Sequence, residues 1–176
     1  CSLKDWNQKT ADERLTIVKA IYGTRKPEEL EAKKLKPIVQ LQKDVMADAF
    51  GVARIDEALE LRAAGIVKPI VLLEGFFSPD DLPVLAVNNL QTIVHNEQQL
   101  NAILTAELDK PLQVWLKIDT GMHRLGINPE QFQYFYQALS TCKNVQHPIV
   151  LMSHFSCADE DNNALTKQQL NLFEQL

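Results

Sequence analysis

The residue types best suited to chemistry gather in one run, Lys117-Ile118-Asp119-Thr120-Gly121-Met122-His123-Arg124-Leu125-Gly126. If the run begins as a strand, Lys117 and Asp119 share one side of it and Ile118 takes the other. Gly121 and Gly126 bracket a tight excursion that carries Arg124. An arginine at a strand's carboxyl end can hold a carboxylate or phenolate oxygen in its planar fork. The competing reading is a surface loop braced by an ion pair between Asp119 and Arg124. A second candidate, His154, ends an apolar run in Ser153-His154-Phe155. It reads either as a satisfied core histidine or as a hydrogen-bonding group beside a ligand. Glu74 could work as an acid–base group or be an exposed loop carboxylate. His123 is expected to be exposed. The run Asp159-Glu160-Asp161 lacks calcium-loop spacing and is expected to cap the next helix. His154 and Cys157 make a lone H-x-x-C with no second pair, so no metal site is expected.

These residues need a scaffold, and the chain from Ala47 onward supplies a rhythm. Strands are expected at 49–53, 69–74, 92–95, 112–118 and 148–155, each an almost continuous apolar run, as in parallel sheets covered on both faces. Helices are expected between them. Ile55 to Arg62 stops at Gly65, and Ser78-Pro79-Asp80-Asp81 opens a short helix with Ser78 as its cap. Asn96 caps a helix through Leu108, and Asn128-Pro129-Glu130 opens one through about Leu139. A last helix runs through Gln168-Gln169-Leu170 to Leu176. Five strand-then-helix units mean an α/β protein with right-handed crossovers. The choice is between a doubly wound sheet and part of a (β/α)8 barrel, for which five units are too few to close. The uncapped end at Leu176 reads as a truncation within a larger fold.

The 176 residues suggest about one domain. Net charge is −5, which argues against a general nucleic-acid binder. The charge is uneven: residues 1–46 carry +3 and residues 47–176 carry −8, a shift that can mark a boundary. The first part reads as helical, over Ala11–Tyr22 and again from Pro27. No apolar run reaches the ~18–20 residues of a membrane span, and no secretory leader is evident. Cys1, Cys142 and Cys157 are too few and odd for a disulfide framework, which favours a reducing, cytoplasmic setting. Phosphate-loop, dinucleotide and nucleophile-elbow motifs are missing.

Residues 116–126, LKIDTGMHRLG, closely resemble a segment of the alanine racemase family. Three more segments resemble that family in the same order: Ala47–Ile66, Pro69–Leu82 and Ile149–Asp161. The resemblance implies a pyridoxal-phosphate-dependent isomerase that interconverts L- and D-alanine for cell-wall precursors. It also implies a barrel domain followed by a β-rich domain, and a homodimer. Carried onto this chain, Arg124 matches the arginine that contacts the cofactor's phenolic oxygen and the substrate carboxylate. Lys117 matches the lysine, often carbamylated, that holds that arginine. His154 matches the histidine near the cofactor ring, and Leu73 an apolar pocket residue.

The family's cofactor lysine, in K-A-(D/N)-A-Y-G-H-G, has no counterpart at the expected spacing. The nearest string, Ile17 to Gly23, offers Lys19 as the Schiff-base lysine, but it is one residue short and lacks the following His-Gly. The expectation is therefore a fragment or rearranged racemase, inactive alone: a helical segment over 1–46 and a partial barrel over 47–176, without the β-rich domain. The rivals are a non-catalytic pyridoxal-phosphate-binding barrel and a broad-specificity amino-acid racemase. An open barrel has unpaired edges, so the chain alone is expected to be aggregation-prone, or to survive only if residues 1–46, with Leu15, Val18, Ile38, Val39 and Leu41, cover an edge or the open interior.

Overall fold

The computed structural model describes residues 48–176; Lys19 and the expected helices and lid residues of 1–46 lie outside them. Five strands alternate with helices: β1 Phe50–Val52, α1 Ile55–Ala63, β2 Ile70–Leu72, α2 Asp81–Val87, β3 Gln91–Val94, α3 Glu97–Thr105, β4 Leu112–Lys117, α4 Phe132–Ser140, β5 Val145–Met152 and α5 Ala164–Glu174. The strands form one parallel sheet in the order β1-β2-β3-β4-β5. That order decides between the two sequence-based alternatives. A doubly wound sheet reverses direction at a switch point, whereas a barrel adds each strand beside the last. The fold is a partial (β/α)8 barrel of five units.

The register sorts the sheet's two faces. Paired residues in parallel strands share a face, so Ile70, Leu72, Val94, Val114 and Leu116 lie together and join the core under the helices. Leu59, Leu82, Leu100 and Phe135 complete that core from the helix side. The other face carries Gly51, Val71, Ile93, Trp115, Lys117 and Met152. Trp115 donates its indole N–H to Gln91 Oε1 at 2.8 Å there. The inner strand β2 is buried throughout, while β5, an outer strand of the described sheet, is mostly part-exposed.

Several boundaries differ from the sequence reading, each for a local reason. Strand β5 starts at Val145, not Pro148. Proline lacks an N–H and is tolerated on outer strands and at irregularities. The β4–β5 register slips where Pro148 sits, and Gln113 Nε2 donates to the Pro148 carbonyl at 2.8 Å. Helix α3 ends at Thr105 rather than Leu108. Asn144 Nδ2 donates to the carbonyls of Ile103 at 2.8 Å and Ala106 at 2.7 Å, satisfying the end of the helix from outside. Ser78 and Asp81 cap the start of α2 together: Ser78 Oγ accepts from the Asp80 N–H, and the Asp81 carboxylate accepts from the Phe77 and Ser78 N–H groups. Pro129–Gln131 forms a 3-10 turn ahead of α4, with Asn128 and Gln131 capping each other's backbone.

The C-terminal end of α1 is held by an arginine. Arg62, 9% exposed, donates from Nε to Asn88 O, from Nη1 to Ile66 O and Lys68 O, and from Nη2 to Asn89 O, all within 2.8–2.9 Å. One guanidinium thus ties the α1–β2 turn to the end of α2. Burial lowers its pKa, and the four carbonyls are the compensation that keeps a buried cation tolerable.

Candidate functional site

In a parallel barrel, the loops after the strands form the working end. The residues singled out by sequence collect there. Leu73 follows β2, and its side chain covers Gly51 so closely that a Cβ on that glycine would stand 2.8 Å from Leu73 Cδ1. His95 follows β3, Lys117 closes β4, and Ser153 and His154 follow β5. Alternation carries Leu73, His95 and Asp119 onto the face that holds Lys117.

Lys117 is 4% exposed, and its side-chain Nζ makes no hydrogen bond or ion pair among the described residues. Burial pushes its pKa below the ordinary lysine value and the Arg124 charge adds to this, while Glu74 and Asp119 pull the other way. Arg124 is exposed and likewise lacks a hydrogen bond or ion pair among the described residues. The ion pair considered between Asp119 and Arg124 is not formed. Asp119 is committed elsewhere: Oδ1 accepts from the N–H of Gly121 at 2.9 Å and of His123 at 3.0 Å, and Oδ2 lies 3.3 Å from His123 Nδ1. Burial works against the Asp119 carboxylate, but the His123 and Gly121 amides and the His123 ring outweigh it and hold its pKa below the usual range. Both glycines of the excursion have positive φ, 132° at Gly121 and 141° at Gly126. At Gly126 a Cβ would run into the Asp119 backbone nitrogen.

His154 is exposed, so it is not the satisfied core histidine of one reading. Glu74 and His123 are exposed as well. Asp159, Glu160 and Asp161 lie in solvent; Glu160 accepts from Asn163 Nδ2, and Asn163 itself caps α5.

The sequence reading missed three features here. Thr120 Oγ1 and Ser153 Oγ are 2.7 Å apart and join the ends of β4 and β5. Gln99, 5% exposed, accepts from the His95 N–H and donates to the carbonyls of Glu74 and Phe76, locking the β2 and β3 loops together. His95 Nε2 lies 3.1 Å from the Glu74 carbonyl, and burial lowers its pKa. Reading every strand end for polar residues would have singled out His95. The Gln99 and Thr120–Ser153 contacts join distant segments and leave no local signal.

A model of the alanine racemase N-terminal domain matches residues 32–176. The chain belongs to the alanine racemase family. Alanine racemase of Vibrio parahaemolyticus is 62% identical over 130 residues, covering 74% of this chain and 36% of that relative. The biosynthetic alanine racemase of Escherichia coli is 59% identical over 127 residues, 72% of this chain and 35% of that one. The crystal structure of the Pseudomonas aeruginosa biosynthetic alanine racemase superposes with a TM-score of 0.75 at 34% identity, covering 94% of this chain and 47% of that chain. The crystal structure of alanine racemase from E. faecalis gives a TM-score of 0.68 at 33% identity, over 78% of this chain and 38% of that one. The chain thus spans about a third of the length of these curated relatives. No helix among the described residues is long and apolar enough to cross a membrane.

Proposed function

We propose that this chain supplies the substrate-gripping part of the barrel of a pyridoxal-phosphate-dependent alanine racemase, with L- and D-alanine as substrates. The observation that carries the reading is an exposed arginine, Arg124, with no partner among the described residues, seven positions after a buried lysine that also has none. Burial disfavours the charge on Lys117 and the nearby Arg124 adds to this, so an anion bound between the two would favour both. The substrate carboxylate and a phenolic oxygen are anions of the right kind, and the donor set fits that side of the cofactor. A lysine for covalent attachment is not assigned; Lys19 lies outside the described residues.

In this reading Arg124 binds the carboxylate of alanine and the cofactor's phenolate through its fork. Leu73 would give the cofactor an apolar contact, and His154 would be one of its polar neighbours. Lys117 positions Arg124. Its lowered pKa favours the neutral amine, the form that attacks carbon dioxide: an N–C bond forms, one proton leaves to solvent, and the product is an anionic carbamate. That group pairs with Arg124 and removes the like-charge repulsion. Pyridoxal phosphate, when bound, supplies the electron sink that takes up the charge left when alanine loses its α-proton.

Racemisation needs proton-transfer groups on both faces of the α-carbon. Arg124 and Lys117 orient a substrate but do not provide that pair. We therefore infer that the 176-residue chain is inactive by itself, that its complete form is a cytoplasmic homodimer, and that residues 47–176 are the barrel part. The test is α-proton exchange of L-alanine in deuterated water, with the chain and added pyridoxal phosphate, beside an assay of D-alanine formation. Exchange no faster than with free cofactor is expected. Turnover at an ordinary enzyme rate overturns the inactivity.

A further inference from the structure

The excursion that carries Arg124 is held in two different ways. Its stem is fixed by backbone: Asp119 N–H donates to Ile127 O at 2.9 Å, Ile127 N–H donates to Lys117 O at 2.9 Å, and Ile118 bridges Ile127. Thr120, 5% exposed, fastens the stem to Ser153 across to β5. The tip has no such support. From Gly121 to Gly126, the backbone N–H groups of Gly121 and His123 donate to Asp119 Oδ1, and the Met122 amide also favours the same carboxylate. His123 adds its ring to Oδ2 and takes a left-handed φ of 56°, a conformation that ordinary residues adopt at a cost. Arg124 is the next residue, and its own side chain makes no hydrogen bond that would fix it.

We propose that Asp119 is the positioning residue for Arg124: its carboxylate presets the tip of the loop, so that the guanidinium is presented before any anion arrives. A long side chain on an unfixed loop must be ordered at the moment of binding, and that ordering weakens the grip. A charge-assisted acceptor that collects two amides and a ring removes that cost in advance. The geometry also explains why Asp119 does not pair with Arg124. An aspartate that neutralised the arginine would compete with the carboxylate the arginine is there to bind. Asp119 spends its charge on the backbone two and four residues ahead and leaves the guanidinium free.

The value of the preset tip rests on the reading of Arg124 as an anion grip; the structural part does not, and the experiment separates them. Trypsin cleaves after arginine only where the backbone can open, and when opening is fast its rate follows the open population. Cleavage of the full chain after Arg124 is followed by mass spectrometry, with cleavage after the exposed Arg54 in the same digest as the internal reference. In Asp119→Ala, loss of both amide bonds to a charged acceptor raises cleavage after Arg124 by at least about tenfold while Arg54 is unchanged. In the isosteric Asp119→Asn, which keeps an acceptor oxygen but not the charge, the rise is smaller, about threefold. That graded recovery is what a merely structural role would not produce, since general loosening raises both sites together. Equal cleavage after Arg124 in all three proteins, or a parallel rise at Arg54, overturns the proposal. If Asp119→Ala fails to fold, Asp119→Asn alone decides by the same two ratios. Failure of the racemase reading leaves these ratios as they are and shows instead in the cofactor titration.

Discussion

Lys117→Met tests whether the buried amine is kept for function at the expense of stability. Methionine has nearly the length and flexibility of lysine and carries no charge, so it fills the same space. Lys117 is 4% exposed, and its Nζ has no hydrogen-bond partner among the described residues, although that atom still reaches solvent. A buried polar group without a partner costs about 1–3 kcal/mol by protein mutational measures. The nearby carboxylates of Glu74 and Asp119 return part of this, so the lower half of the range applies, about 1–2 kcal/mol. For a domain of this size that is a rise in Tm of roughly 3–8 °C. The sign has a pH signature. The folded pKa of Lys117 lies below the unfolded value of about 10.4. Below the folded value both states hold the proton and the cost is constant. Between the two values the unfolded state alone holds it, so wild-type stability rises with pH there. The methionine variant lacks this rise. Urea denaturation in carbon-dioxide-free buffer from pH 7 to pH 10.5 measures both effects. A variant less stable than wild type at pH 7, or one with an unchanged alkaline slope, would refute the reasoning. Added bicarbonate should stabilise the wild type and leave the variant unchanged.

Arg62→Met leaves four backbone carbonyls without their donor and is expected to cost about 3–5 kcal/mol in chemical denaturation; Arg62→Lys recovers only part, because an ammonium cannot span the same fork. Gly126→Ala places a methyl group against the Asp119 backbone at a positive φ and should destabilise by about 2 kcal/mol or more, with a matching fall in the denaturation midpoint. Asp119 has a depressed pKa in the folded state. Its contribution is therefore complete above the unfolded value of about 3.9 and is lost as pH falls through the folded value. Acid titration of stability should show this limb in wild type and a shallower one in Asp119→Asn.

The barrel was legible because its strands are unbroken apolar runs at regular spacing and its helices open on recognisable caps, such as Asn96 and Asn128. What could not be read were contacts made by segments far apart in sequence. The early end of α3 depends on Asn144, some forty residues on, and β5 runs back past Pro148 because a neighbouring strand tolerates a register slip there. At the site, the positions of Leu73, Lys117 and His154 followed from their places at strand ends. The wrong pairing for Asp119 came from matching opposite charges five residues apart. Two glycines with positive φ turn the chain so that the nearest donors to that carboxylate are amides of its own loop. His154 was weighed as a core residue because it follows an apolar run, yet the strand stops at Met152 and leaves it in solvent.

The central claim, that Arg124 is the anion grip of a pyridoxal-phosphate site, is tested most directly by titrating the chain and its Arg124→Ala variant with pyridoxal 5'-phosphate. Bound cofactor is read by equilibrium dialysis, which needs no covalent attachment. Saturable binding to wild type is predicted, weakened at least about tenfold in the variant, as expected for loss of a charge-assisted fork. Equal affinity of the two proteins, or no binding by wild type, would contradict it.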